Sequence, residues 1–144
     1  MALLRIAHVP PPTVELDVTV LQAVDVMARG QVGAVAVVEH GVLRGIFTER
    51  DLMLRVVRER RDAAATAIRD VMTSDVKTLT DAATPDEAVG VMLDGHLRHL
   101  PILSGEGRLL GLLSIRALLE EKMHDLSLEV SSLEQYLAND GPGG

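Results

Sequence analysis

The chain has no cysteine and no tryptophan, and only one phenylalanine and one tyrosine in 144 residues. Without cysteine, disulfides, thiolate zinc sites and cysteine nucleophiles are excluded. Without aromatic side chains to stack on bases, the chain lacks the platforms that single-stranded nucleic-acid binders use. Positive charge is also scarce: 14 Lys and Arg stand against 21 Asp and Glu, a formal net charge of −7. Neutralising a phosphate backbone takes clustered cations, so nucleic acid is not expected as a partner. That balance still allows a local cluster of Arg around one small anion. Long apolar runs are missing too. The most apolar stretch, 32–38, stops at Glu39 and His40, well short of the roughly 20 residues that a membrane helix requires. The first eight residues, Met1 to His8, are too short and too interrupted for a signal peptide. The expectation is a soluble cytoplasmic protein with no membrane partner.

What is present is aliphatic. Hydrophobic residues make up 47% of the chain, enough for a core of Val, Leu, Ile, Ala and Met. Such a core suits a sheet packed by helices. It is arranged as a repeat, the first thing to look for along a chain. The segment 19–27, from Thr19 to Met27, matches 84–92, from Thr84 to Met92, at a shift of 65, with Ala23 on Ala88, Val24 on Val89 and Met27 on Met92. Further on, 45–50 (Gly45-Ile46-Phe47-Thr48-Glu49-Arg50) matches 111–116 (Gly111-Leu112-Leu113-Ser114-Ile115-Arg116) at a shift of 66. The extra residue falls in the turn around Gly105 and Gly107.

Each copy reads as strand, helix, strand, strand, helix. Thr19 and Thr84 are N-caps, with Pro85 at the first helical position of the second copy. Gly30 and Gly95 lie where those helices should end. The runs 34–38 and 100–103 read as buried strands. His40-Gly41 and Gly105-Glu106-Gly107 read as hairpin turns, with return strands at 43–47 and 109–113. Helices follow, at 49 to about 58 and 115 to about 123. Between the copies, 68–72 reads as a short helical turn. Leu126, Val130, Leu133 and Leu137 mark one face of a further, added helix, and 139–144 reads as a frayed tail. The organisation is therefore 1–62, a first module; 63–124, a second; and 125–144, a C-terminal helix and tail. The fold class is α/β (α+β), two β-α-β-β-α modules packed sheet to sheet with pseudo-twofold symmetry. Face-to-face packing leaves two related clefts, and interfaces between repeats are common ligand sites.

Three motifs carry a resemblance. They are Asp70-Val71-Met72-Thr73, the run from Gly95 to Ile102 (Gly95-His96-Leu97-Arg98-His99-Leu100-Pro101-Ile102), and the run from Gly45 to Asp51. Together and in this order they resemble the tandem cystathionine-β-synthase (CBS) domain pair, over about 9–59 and 72–122, in a stand-alone form. Copy one departs from the pattern at its start, where His8-Val9-Pro10-Pro11-Pro12 replaces the usual Met-Thr turn. The resemblance implies a regulatory module, not an enzyme. It would sense an adenosine nucleotide (AMP, ADP or ATP) between the copies, with S-adenosylmethionine as the alternative ligand. No cofactor is required. A homodimer and an unidentified regulated protein are the implied partners.

The resemblance also places the site. The Thr-x-x-Asp motif, here Thr48 and Asp51, would hold ribose, since a carboxylate accepts from both hydroxyls. Arg50 and the helix start would face phosphate, with Arg98 and His99 reaching it from the second copy. The purine would lie near Val76, Lys77 and Leu97. Copy two carries Ser114 and Arg116 but has Ala117 where the acid belongs. Loss of a charged hydrogen-bonding group, roughly 1.5–3 kcal/mol, makes its cleft at least tenfold weaker, so one dominant site per chain is expected.

Plainer readings stand beside these. Thr48 to Asp51 also fits an ordinary helix start, and Arg98-His99 an exposed pair. His96 and His99 straddle a loop and a strand, which does not make a metal site. No nucleophile is paired with a base and no glycine-rich phosphate loop is present, so catalysis has no support. A purely structural or dimerising pair with empty clefts is the remaining alternative.

Overall fold

The computed structural model describes residues 2–139. Its elements in order are α1 (Ala2–Ile6), β1 (Thr13–Glu15), α2 (Val20–Gly30), β2 (Ala34–Glu39), β3 (Val42–Thr48), α3 (Glu49–Asp51), a 3-10 turn (Ile68–Asp70), β4 (Leu79–Thr80), α4 (Pro85–Gly95), β5 (His99–Leu103), β6 (Leu109–Ser114) and α5 (Ile115–Asn139). They form two three-stranded sheets, β1-β2-β3 and β4-β5-β6. In each sheet the first pair is parallel, crossed over by a helix, and the second is an antiparallel hairpin. Both hairpins carry a register shift at the same place, Val37/Val38 and Ile102/Leu103.

The local chemistry is that of the repeat. Thr19 and Thr84 each accept a backbone N–H, from Gln22 and Glu87, and Gln22 returns a bond to the Thr19 backbone. Such a cap contributes about 1 kcal/mol. His40 and Gly41 both take positive φ, as a two-residue hairpin turn requires. Both helices end where expected, with Gly30 and Gly95 as the last helical residues, and the left-handed positions that follow are held by Gln31 and His96.

Alternation along β2 divides the packing. Val35 and Val37 join Phe47, Val14, Val20, Ala23 and Met27 in the first core. Leu100, Ile102 and Leu113 join Ala88 and Met92 in the second. Ala34, Ile46 and Leu112, with Val76 against them, form a third cluster where the sheets meet. Five consecutive residues of β2 are buried, as expected for a strand covered on both faces.

Three elements correct the sequence reading. α1 was not anticipated: Leu3 is fully buried in the second core, so the start of the chain packs on the later copy. The helix after β3 is not one α-helix from 49 to 58; a single α turn widens into a π-helical stretch, Leu52–Val57. The expected break near residue 123 does not occur. α5 runs 25 residues from Ile115 to Asn139 without a Gly or Pro to stop it, so the added helix is its continuation. Lys122 of α5 pairs with Asp86 of α4 and fixes the root of this helix. No helix among the described residues is long and apolar enough to cross a membrane. The tail expected at 139–144 lies, beyond the backbone of Asn139, outside the described residues.

Candidate functional site

The two copies are laced together by their lead-in segments. Thr73, just ahead of copy two, exchanges two backbone hydrogen bonds with Ile46 of β3, both 2.9 Å. His8, just ahead of copy one, exchanges the equivalent pair with Leu112 of β6, at 3.0 and 3.1 Å. Each exchange sits beside a buried glycine, Gly45 or Gly111, over which the opposite lead-in passes. Each lead-in thereby reaches the helix start that follows β3 or β6, so there are two related clefts.

At the first cleft the acid motif is closed by hydrogen bonds within the chain. Asp51 is buried, and its Oδ2 accepts from the Thr48 N–H at 3.0 Å and the Thr48 hydroxyl at 3.2 Å. Thr48 Oγ1 in turn accepts from the Asp51 N–H at 3.2 Å. Oδ1 accepts from the Thr73 hydroxyl of the opposite lead-in at 3.2 Å, and Arg55 lies 3.7 Å away. Arg55 also donates to the Met72 carbonyl at 2.7 Å. The Thr48–Asp51 motif is therefore a capping box that also ties the copies together, and most of its hydrogen-bonding capacity is used within the chain.

The second cleft is open. Ser114 caps α5 by accepting from the Ala117 N–H at 3.1 Å, but no acid reaches across to His8. A cavity of about 850 Å³ lies here, within the usual range of small-ligand sites. Its apolar wall is Val24, Met27, Val32, Leu52, Leu112 and Ile115. Its polar groups are His8, Gln31, Glu49, Arg98, His99, Ser114, Arg116 and Glu120. Arg98 and Arg116 are exposed, and Arg116 pairs with Glu120 at 3.2 Å. Gly33 brings the two copies together at the centre: a methyl group there would sit 3.3 Å from both Glu49 Oε1 and His99 Cε1. The backbone repeats the symmetry, with Glu49 N–H donating to the Gly33 carbonyl and Ile115 N–H to the Arg98 carbonyl.

Of the residues expected at the site, Arg98, His99, Ser114 and Arg116 share this cavity. Thr48 and Asp51 come together in the first cleft and do not line it. Arg50 is exposed in the turn after Thr48. Val76 is taken up by the cluster between the sheets. Lys77 and Leu97 gather at the end of α4, beside Gly95. The sequence reading missed His8, Gly33 and Glu49. The repeat carried a signal for the first, because His8 precedes Thr73 by the same 65 residues that relate Thr19 to Thr84.

His99 has a pKa lowered from 6.5 to about 4, first because burial strips water from the imidazolium, then because His8 and Arg98 add positive charge nearby. The unfolded chain takes up this proton near pH 6.5 and the folded chain only near pH 4. The His99 contribution to stability is thus intact above pH 6.5 and is lost as pH falls towards 4, by on the order of 2–3 kcal/mol. Urea midpoints of wild type and His99→Gln from pH 4 to 7.5 check this. The wild type should lose stability relative to the variant across that window, and parallel profiles would count against it.

Comparison with known proteins agrees with this architecture. The CBS domain pattern matches residues 5–58 and 68–124, so the chain belongs to the CBS domain family, as a tandem pair. The Arabidopsis thaliana CBS domain-containing protein CBSX3, mitochondrial, is 33% identical over 128 residues, which cover 84% of this chain and 61% of that protein. This chain thus spans less than two thirds of that relative. A structure described as a putative signal-transduction protein with CBS domains from Burkholderia ambifaria is 36% identical, with a TM-score of 0.76, covering 80% of this chain and 84% of that one. A CBS domain protein from Pyrobaculum aerophilum, PAE2072, solved in complex with AMP, shares the fold with a TM-score of 0.73 at 24% identity, covering 80% and 88%.

Proposed function

We propose that this CBS pair is a sensing module that binds an adenosine nucleotide in the open cleft and relays its occupancy to a regulated protein, as a homodimer and without catalysis. The observation that carries this is the cavity itself. Its lining combines an apolar set (Val24, Met27, Val32, Leu52, Leu112 and Ile115) with two exposed guanidinium groups, Arg98 and Arg116, contributed by the second copy. Guanidinium forks match phosphate oxygens in geometry and charge. Ser114 and Glu49 supply acceptors for ribose hydroxyls where Ala117 cannot. The AMP complex of the Pyrobaculum protein supports the ligand class. For a relay, the ligand must favour one arrangement of the copies over another. The laced lead-ins give it something to shift: His8 is both a cavity wall and a backbone partner of Leu112.

A second ligand is favoured by one feature. Glu49 and Glu120 place negative charge among the arginines, a mixture that suits S-adenosylmethionine, whose amino-acid end carries both signs beside a cationic sulfonium.

A thermal-shift panel with AMP, ADP, ATP and S-adenosylmethionine tests the reading. A ligand at a hundred times its dissociation constant adds about 2.7 kcal/mol of stability. The shift should disappear in Arg98→Ala/Arg116→Ala and survive in Asp51→Asn. The reverse pattern would put the ligand in the Asp51 cleft.

A further inference from the structure

The free half of α5 exposes a continuous apolar seam. Leu119, Met123, Leu126, Val130, Leu133 and Leu137 are each more than half exposed. Their spacing is four, three, four, three, four, a heptad series over nearly three repeats. Leu119, Leu126 and Leu133 occupy d positions, and Met123, Val130 and Leu137 occupy a positions. A 3.5-residue period is what a second helix of the same period fills, knob into hole. A globular surface asks for the wider apolar stripe of an ordinary packed helix. Among the described residues of this chain the seam stays exposed; the other helices expose large hydrophobics only singly or in pairs, Leu21 and Val26 on α2, Met53 and Val57 in the stretch after α3, and Leu93 on α4.

We infer that α5 pairs with α5 of a second copy of this chain, in a parallel two-stranded coiled coil. A twofold axis makes one seam its own complement, so a second copy brings the matching series without any further requirement. Leucine at every d position, with a β-branched valine at the central a position, favours two parallel strands. Six half-exposed side chains offer on the order of 600 Å² per chain, about 1,200 Å² in the pair, which reaches the lower limit of specific stable interfaces. In this register Glu129 faces Glu134 of the second copy; that repulsion is exposed and screened by salt, and moderates affinity without opposing the apolar seam. Lys122 leaves the seam free, because it turns toward Asp86 on the body of its own chain.

This inference rests on the homodimer reading above and specifies its surface; it does not depend on the ligand. Sedimentation equilibrium of the full chain at tens of micromolar should give twice the chain mass. Leu126→Glu/Leu133→Glu should weaken association at least a hundredfold and give a monomer that keeps its far-UV spectrum and any ligand shift, with a urea midpoint that no longer depends on protein concentration, since both positions are exposed within one chain. Leu133→Cys, in a chain with no other cysteine, should oxidise to a linked dimer, because a d position faces itself only in the parallel arrangement. A monomeric wild type would overturn both the seam and the homodimer. A dimeric wild type whose double variant is also dimeric would overturn the seam alone. A dimer lost in the double variant but not linked through Cys at 133 would overturn the parallel arrangement.

Discussion

Gly45→Ala is expected to destabilise the protein by about 2–4 kcal/mol, the range of severe overpacking in a closed core. A methyl group at Gly45 would come within 2.7 Å of both the Met72 sulfur and the Thr73 carbonyl oxygen. The methionine can swing away. The carbonyl cannot move without breaking its bond from the Ile46 N–H, which is one half of the exchange joining the copies. Gly111 occupies the same place in copy two, but there the nearest approach is 3.2 Å, to the His8 carbonyl and a Val9 methyl. A shift of a few tenths of an ångström relieves that contact, so Gly111→Ala should cost less than half as much. Urea unfolding of both variants checks the order, and equal losses would mean that the lead-in over Gly111 is held as tightly as the one over Gly45.

The second large effect concerns Asp51. Alanine there removes the carboxylate half of the capping box, which accepts from the Thr48 N–H and hydroxyl, together with the acceptor for Thr73 and the partner of Arg55. A cap contributes about 1 kcal/mol and a hydrogen bond to a charged group about 1.5–3 kcal/mol, so a loss of roughly 3 kcal/mol is expected. Asn, which keeps an oxygen acceptor, should recover at least half of it. A loss under 1 kcal/mol for Asp51→Ala would show that the carboxylate does little to join the copies. This bears on ligand work directly. A nucleotide shift that vanishes in Asp51→Ala can report a loosened cleft as easily as a lost ribose contact, whereas Arg98 and Arg116 take part in no buried packing.

These two residues also show how far the sequence could be read. The repeat, the Thr19 and Thr84 caps, the hairpin turns and the succession of strands and helices in each copy follow from local signals, and all appear in the fold. α1 was hidden because five residues, Ala2–Ile6, carry too little periodicity to read, and their burial comes from the second copy. The helix ends at Gly30 and Gly95 were legible, but not that Gln31 and His96 hold the left-handed positions that glycine would take with less strain. The break expected near residue 123 is absent because no Gly or Pro between Ile115 and Asn139 stops the helix. At the site, Arg98, His99, Ser114 and Arg116 were each singled out, but Arg98 and His99 were set opposite Asp51 and not beside Ser114 and Arg116, with which they line one cavity. The role of Asp51 toward Thr73 was not legible, because the two are 22 residues apart and meet only through the crossing of the lead-in. The acid of the first cleft is engaged by hydrogen bonds within the chain, and the cleft at Ala117, which lacks an acid there, is lined as a cavity.

The central claim is that this cavity binds an adenosine ligand. Calorimetric titration of the full chain with AMP at pH 7.5 tests it most directly. The account predicts one site per chain, abolished by Arg98→Ala/Arg116→Ala and retained by Asp51→Asn. Two equal tight sites per chain, or binding untouched by the arginine pair and lost with Asp51→Asn, would contradict it.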